Sequence, residues 1–186
     1  DTHFGHTAMI KFCGRPVDFE ARIFDGLKVI AKDDVLIHLG DFCIGEDALW
    51  NSAFTKYPFK KILVRGNHDQ HTVSWYQEHG WDFVCDTFSM QFEGKKLLFS
   101  HIPQPDIGQF ELNIHGHFHN SLNRLLNGEW KVEGERERNE NDLNVLTDRH
   151  RLLSLEHEEY RPITLTHFLK TSKTISQIKN ERPVAV

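Results

Sequence analysis

Asp33-Asp34-Val35-Leu36-Ile37-His38-Leu39-Gly40-Asp41 decides how this chain is read. Its apolar run, Val35 to Leu39, is too short for a buried helix and is bounded by acidic residues before and glycine after, so it reads as a buried strand ending at Gly40-Asp41. The same grammar returns at Lys61-Ile62-Leu63-Val64, a second buried strand that runs out into Gly66-Asn67-His68-Asp69. Between and around these strands the periodicity is helical. Phe19, Ile23, Phe24, Leu27 and Ile30 fall on one face of a helix predicted over Asp18 to Ala31, with Asp18 as its N-cap. Shorter helices are predicted over Asp47 to Phe54 and Val73 to His79, the latter closed by Gly80. Gly5 to Pro16 has loop character.

Further on, the pattern changes. Phe83 to Phe88, Ser89 to Phe92 and Leu97 to Ser100 read as strands, with Glu93-Gly94-Lys95 a hairpin turn between the last two. Leu112 to His115 is another strand, and strand is expected again within Val145 to Leu155. Lys131 to Asp142 is charged and poor in apolar residues, which suits an exposed loop. A helix is expected from about Thr166. Alternating helix and strand followed by consecutive strands implies a layered α/β protein with a mixed sheet. The expected organisation is one domain over 1–169, a peripheral polar tail over 170–186, and a leading strand upstream of Asp1.

Bulk composition narrows the function. The chain has 186 residues, 39% hydrophobic and 26% charged, ordinary values for a globular domain. A net charge of -5 gives no basic surface for nucleic acid, and no apolar run approaches the roughly 18 residues of a membrane span. Cys13, Cys43 and Cys85 are sparse and odd in number, which suits a reducing compartment, most simply the cytoplasm. Thirteen histidines is the unusual number.

Those histidines are not scattered. Asp1-Thr2-His3, Gly40-Asp41, Gly66-Asn67-His68-Asp69, Ser100-His101 and Gly116-His117-Phe118-His119 each sit at the chain start or a predicted strand end, where α/β sheets place ligands. Each brings a carboxylate oxygen, an imidazole nitrogen or an amide oxygen, all competent for metals. Glycine before Asp41, Asn67 and His117 would let the backbone turn sharply. His38, His71, His79, His150, His157 and His167 lack such a setting and take the ordinary reading, a hydrogen-bonding role in core or surface. His6 and His115 fall between the two groups and stay outside the site. Phe4, Phe42 and Phe118 read as packing beneath the loops.

In order and chemistry these five motifs resemble the calcineurin-like metallophosphoesterases, and the opening Asp-Thr-His-Phe-Gly-His is similar to their small single-domain bacterial and phage members. The resemblance implies a four-layer α/β/β/α sandwich with two mixed sheets. It implies two divalent or mixed-valence transition-metal ions, manganese first, with iron, zinc or nickel as alternatives. Asp1, His3, Asp41 and His119 would hold one ion and Asp41, Asn67, His101 and His117 the other, Asp41 bridging. A water or hydroxide between the ions would attack phosphorus in line. His68 would protonate the leaving oxygen, and Asp69 would either orient His68 or bond to the local backbone. The substrate is expected to be a phosphate ester, a nucleotide-like or cyclic diester before a monoester. A non-catalytic module of the same fold would have lost ligands, and all seven positions here are filled. A nuclease acting in a complex would need a basic groove.

Overall fold

The computed structural model describes residues 1–121, 125 and 146–181. The predicted charged loop, Lys131 to Asp142, lies outside the described residues.

Apolar residues on both parities of the early strands are explained by burial on both faces. β1 (Val35–His38), β2 (Lys60–Val64) and β3 (Phe83–Cys85) form a parallel three-stranded sheet in that order, with Ile37 opposite Ile62 and Leu63 opposite Val84. On one face Leu36, Leu63 and Val84 pack with Phe19, Ile23, Phe54 and Tyr76 of α2 (Phe19–Gly26), α3 (Asp47–Thr55) and α4 (Val73–Glu78). On the other, Ile37, Val64 and Cys85 meet the second sheet.

That second sheet has the order β4 (Thr87–Phe92), β5 (Lys95–Ser100), β6 (Leu112–His115) and β7 (His150–Leu152). β4 and β5 are an antiparallel hairpin, while β5–β6 and β6–β7 are parallel. The hairpin turns through Glu93 and Gly94 at φ 48° and 79°, the left-handed pair a tight two-residue turn requires. Phe88, Met90, Phe92, Leu97, Phe99, Leu112 and Ile114 point between the sheets. The molecule is thus a mixed α/β fold of two sheets packed face to face, compatible with the expected sandwich.

Several local expectations need correction. Within Gly5 to Pro16 lies a short helix, α1 (Ala8–Phe12). The helix expected over Asp18 to Ala31 ends at Gly26 and tightens to a 3₁₀ turn over Leu27–Val29. Asp18 makes no side-chain cap, because its Oδ1 takes Nε of Arg22 instead, at 2.9 Å. The stretch Phe83 to Phe88 is not one strand: the chain leaves the first sheet after Cys85 and enters the second at Thr87. In the tail, α5 (Leu165–Thr171) is followed by α6 (Ile175–Asn180), capped by Thr174 in a capping box with Gln177. Ile175 is buried against Phe118 and Leu125, so this part of the tail is anchored to the fold.

Register brings strand ends together. His38 lies opposite Leu63, and Ser100 opposite His115. The residues that follow each pair leave the two sheets side by side: Gly40-Asp41 and Gly66-Asn67 from one, His101 and Gly116-His117 from the other. The N-terminal segment joins them, with His3 N donating to Asp41 O at 2.9 Å and Phe4 bridging Cys43. An apolar cleft of about 430 Å³ runs beside β1, lined by Leu36, Ile37, Leu153 and Ile163 among others. It touches Asp1 and Thr2 but lies away from the convergence of histidines. No helix among the described residues is long and apolar enough to cross a membrane.

Candidate metal centre

Four of the residues singled out in the sequence hold the left-handed backbone conformation: His3, Asp41, His117 and His119, at φ 51°, 50°, 69° and 49°. Such positions cost on the order of 1 kcal/mol each and collect at functional sites. Only Gly40, at φ +86°, fits the expectation that glycine turns the backbone sharply. Gly66 and Gly116 are needed for another reason. A Cβ on Gly66 would collide with the Asp41 carboxylate, and one on Gly116 with that of Asp1.

The carboxylates are held from behind by the backbone. Asp41 Oδ1 accepts from His68 N at 2.9 Å, and Asp1 Oδ2 from His117 N at 2.5 Å. Asp69, buried, accepts from Asp41 N, Phe42 N and Gly66 N at 2.7, 3.0 and 2.7 Å. Of the two roles open to Asp69, this is the geometry of the backbone one: it staples the loop after β1 to the loop after β2. Burial pushes its carboxyl up, against those amide bonds.

Two clusters are made of residues the sequence singled out. Asp1, His3 and His119 form one, and Asp41, His101 and His117 the other, with ligand atoms in each within 4.8 Å of one another; a third group, Cys13, His119 and Glu156, shares His119 with the first. Asp41 Oδ2 lies between the first two, 3.4 Å from His3 Nε2 and 3.2 Å from His101 Nε2. Asn67 Oδ1 joins the second cluster, 3.1 Å from His101 Nε2.

The donor chemistry fits a cation. His101 Nδ1 lies 2.7 Å from the carbonyl of Leu39 and must donate there, which leaves a lone pair on Nε2. That lone pair faces Asn67 Oδ1, Asp41 Oδ2 and His117 Nδ1, all at 3.1–3.2 Å. A ring nitrogen without a proton cannot bond both oxygens, whereas a cation between them satisfies all. Asp1 Oδ1 and both ring nitrogens of His3 are buried without a hydrogen bond, which is costly unless something else binds them. Burial pushes His3 down to about 2, so its ring is neutral and competent as a ligand. Oxygen and nitrogen donors without thiolate suit hard to borderline divalent ions.

His68 lies outside both clusters and is half buried, its ring edge-on to His3 at 5.5 Å between centroids. The ring of His6 is also 5.5 Å from that of His3. Arg65 is engaged with Asp86 at 2.6 Å. His115 is fully buried and faces Phe118 and His150 rather than the clusters. His38 packs beneath Thr2, its Nε2 3.1 Å from Thr2 Oγ1. Phe4, Phe42 and Phe118 are fully buried, as packing residues are. Sequence reasoning missed Arg15, Ser154 and Glu156, which back the first cluster. Glu156 lies far from every motif in the chain, and Arg15 falls in the stretch read as loop.

A family model described as calcineurin-like phosphoesterase matches residues 1–178. An uncharacterised protein of Methanocaldococcus jannaschii, MJ1445, is 27% identical over 135 residues, which span 64% of this chain and 66% of that one. Among solved structures, AQ665 from Aquifex aeolicus, a protein of unknown function, is 27% identical at a TM-score of 0.63, covering 91% of this chain and 95% of its own. An archaeal phosphodiesterase aligns more loosely, at 18% identity and a TM-score of 0.42 over 56% of this chain and 68% of that one.

Proposed function

Because this chain belongs to the calcineurin-like phosphoesterase family, we propose that it is a dinuclear-metal hydrolase of phosphate esters, a phosphodiesterase before a phosphomonoesterase, acting on a small nucleotide-like or cyclic nucleotide substrate. One observation carries the reading: two clusters of buried oxygen and nitrogen donors meet at a single carboxylate oxygen, Asp41 Oδ2. Asp1, His3, Asp41 and His119 would hold one ion and Asp41, Asn67, His101 and His117 the other. Manganese is the first choice for this donor set, with iron, zinc and nickel as alternatives. When bound, the ions would supply Lewis-acid polarisation of a phosphoryl oxygen and lower the pKa of a water.

The remaining work falls to the chain. Asp69 fixes the two loops so that Asp41 and Asn67 keep their spacing. The buried rings of His3, His101 and His117 exclude bulk solvent from the reacting face, which strengthens every electrostatic contact there. His68, adjacent to Asn67 and outside the clusters, would serve as the donor to the leaving oxygen. The ligand loops are short, and His6 and His68 are only half buried, which suits a substrate with groups on both sides of phosphorus. Three cysteines without a disulfide suit a cytoplasmic setting.

The test is metal-stripped protein reconstituted with Mn(II) and offered bis-p-nitrophenyl phosphate, p-nitrophenyl phosphate, cyclic nucleotides and short oligonucleotides. Faster turnover of the diesters is expected. Preference for the monoester would reverse the diester reading, and two bound metals without hydrolysis of any substrate would point to a non-catalytic module.

A further inference from the structure

Arg15 is the bulkiest of the fully buried side chains, although it lies in a loop next to the exposed Val17. Its guanidinium makes three directed bonds. Nη1 donates to Thr2 O at 2.5 Å, Nη2 to Asp1 O at 2.7 Å, and Nε to Glu156 Oε1 at 2.8 Å. Its planar face lies over Phe19, 5.0 Å from the ring centre. Glu156 is equally committed: Oε2 accepts from Ser154 Oγ at 2.6 Å, and Oε1 lies 3.6 Å from His119 Nδ1.

A buried ion pair is a poor way to gain stability, because desolvation offsets most of the attraction and apolar residues do as well. What it supplies is direction. Arg15 grips the two carbonyls in the backbone between Asp1 and His3, just before His3 takes up its left-handed conformation. Glu156 faces Nδ1 of His119. Arg15 Nη2 is also 3.5 Å from that nitrogen, but a ring that turns the lone pair of Nε2 to a cation carries its proton on Nδ1, and only the carboxylate can accept it. With Nδ1 turned to Glu156, Nε2 is the ring atom left for a cation, the usual arrangement when a carboxylate backs a ligating histidine.

All three residues of one cluster are therefore set by the same pair. The other cluster has supports of its own, Leu39 O behind His101 and His68 N behind Asp41, and shares one link with the first, His117 N donating to Asp1 Oδ2. We propose that Arg15 and Glu156 are positioning residues for the Asp1/His3/His119 half of the centre, and that together they set the affinity for one divalent cation and not for its neighbour. This rests on the two-metal reading above.

Calorimetric titration with Mn(II), metal analysis and electron paramagnetic resonance on wild type, Glu156→Ala, Glu156→Gln and Arg15→Lys test it. Wild type should bind two ions and give the spectrum of a coupled pair. Glu156→Ala should keep one ion at near wild-type affinity and bind the second about 10–100-fold more weakly, the usual cost of losing a carboxylate behind a ligating histidine. At intermediate loading its spectrum should be that of an isolated ion. Glu156→Gln, which keeps an acceptor but loses the charge facing Arg15, should lose less. Arg15→Lys should resemble Glu156→Ala, since an ammonium cannot reach two carbonyls and a carboxylate in one plane. Equal weakening of both sites, or of neither, overturns the inference. Should Glu156→Ala or Arg15→Lys not fold, Glu156→Gln decides: one weakened site supports the inference, and two unchanged sites overturn it. Wild-type protein that takes up no divalent ion overturns the metal reading itself, whereas two ions bound at wild-type affinity in every variant overturn this inference alone.

Discussion

Oδ2 of Asp41 lies 3.4 Å from a ring nitrogen in one cluster and 3.2 Å from a ring nitrogen in the other, while its Oδ1 is held by His68 N. A neutral amide at that position keeps the shape and loses the charge that two cations need between them. Asp41→Asn should therefore weaken both metals and abolish hydrolysis; full activity in the variant would end the bridging role. His68 makes the opposite prediction. Outside both clusters, it should be dispensable for metal and needed for proton delivery, so His68→Ala should lower turnover by about 10²–10⁴-fold with metal content near wild type. Loss of metal would make His68 a ligand. These residues were legible in the sequence because each stood in a glycine-led motif at a strand end, Gly40-Asp41 and Gly66-Asn67-His68-Asp69. Arg15 and Glu156 were not, because nothing in the chain tells a buried arginine from a solvated one, and 141 positions separate the pair.

The connections after β1, β2 and β6 set the spacing of the ligands. The close approach of Gly66 to the Asp41 carboxylate leaves no room for a methyl group. Gly66→Ala should thus reduce metal binding while the protein still folds, as read by calorimetric titration beside circular dichroism; unchanged binding would show that the loop yields without moving Asp41. The strands beneath these loops were readable from apolar runs, and β6 falls where the sequence placed it. Two boundaries were not. The step from β3 to β4 is hidden because Phe83 to Phe88 is a continuous strand-forming stretch, and only the packing of two sheets separates it at Asp86. Helix α1 has five residues, too few for periodicity to register.

At the scale of the molecule, buried neutral histidines make stability depend on pH. Burial lowers His115 to about 3 and puts His38 well below its ordinary value. Between about pH 6.5 and 3 the unfolded chain binds protons at these positions and the folded chain does not, so stability rises with pH across that window and is lost as pH falls. Each group adds a slope of at most about 1.4 kcal/mol per pH unit. Denaturation of metal-free protein should steepen below pH 6.5, and His115→Leu should flatten that limb; an unchanged slope would refute the buried-histidine account. Metal acts in the other direction. Mn(II) at about a hundred times its dissociation constant should stabilise by about 2.7 kcal/mol, a rise in Tm of roughly 5–10 °C by scanning calorimetry. EDTA should reverse the rise together with the activity.

By itself the sequence determined the α/β class and the set of metal-competent residues, because apolar runs and strand-end glycines are local signals that survive in one dimension. Which of those residues share a cluster, and the place of Asp41 between the two, came to the sequence only through family resemblance; tertiary structure alone decided that Asp69 braces loops and that Arg15 and Glu156 stand behind His119. Those are contacts between loops and strand ends far apart in the chain. Their distances depend on strand register and on how the sheets pack, and neither is written in any one stretch of the chain.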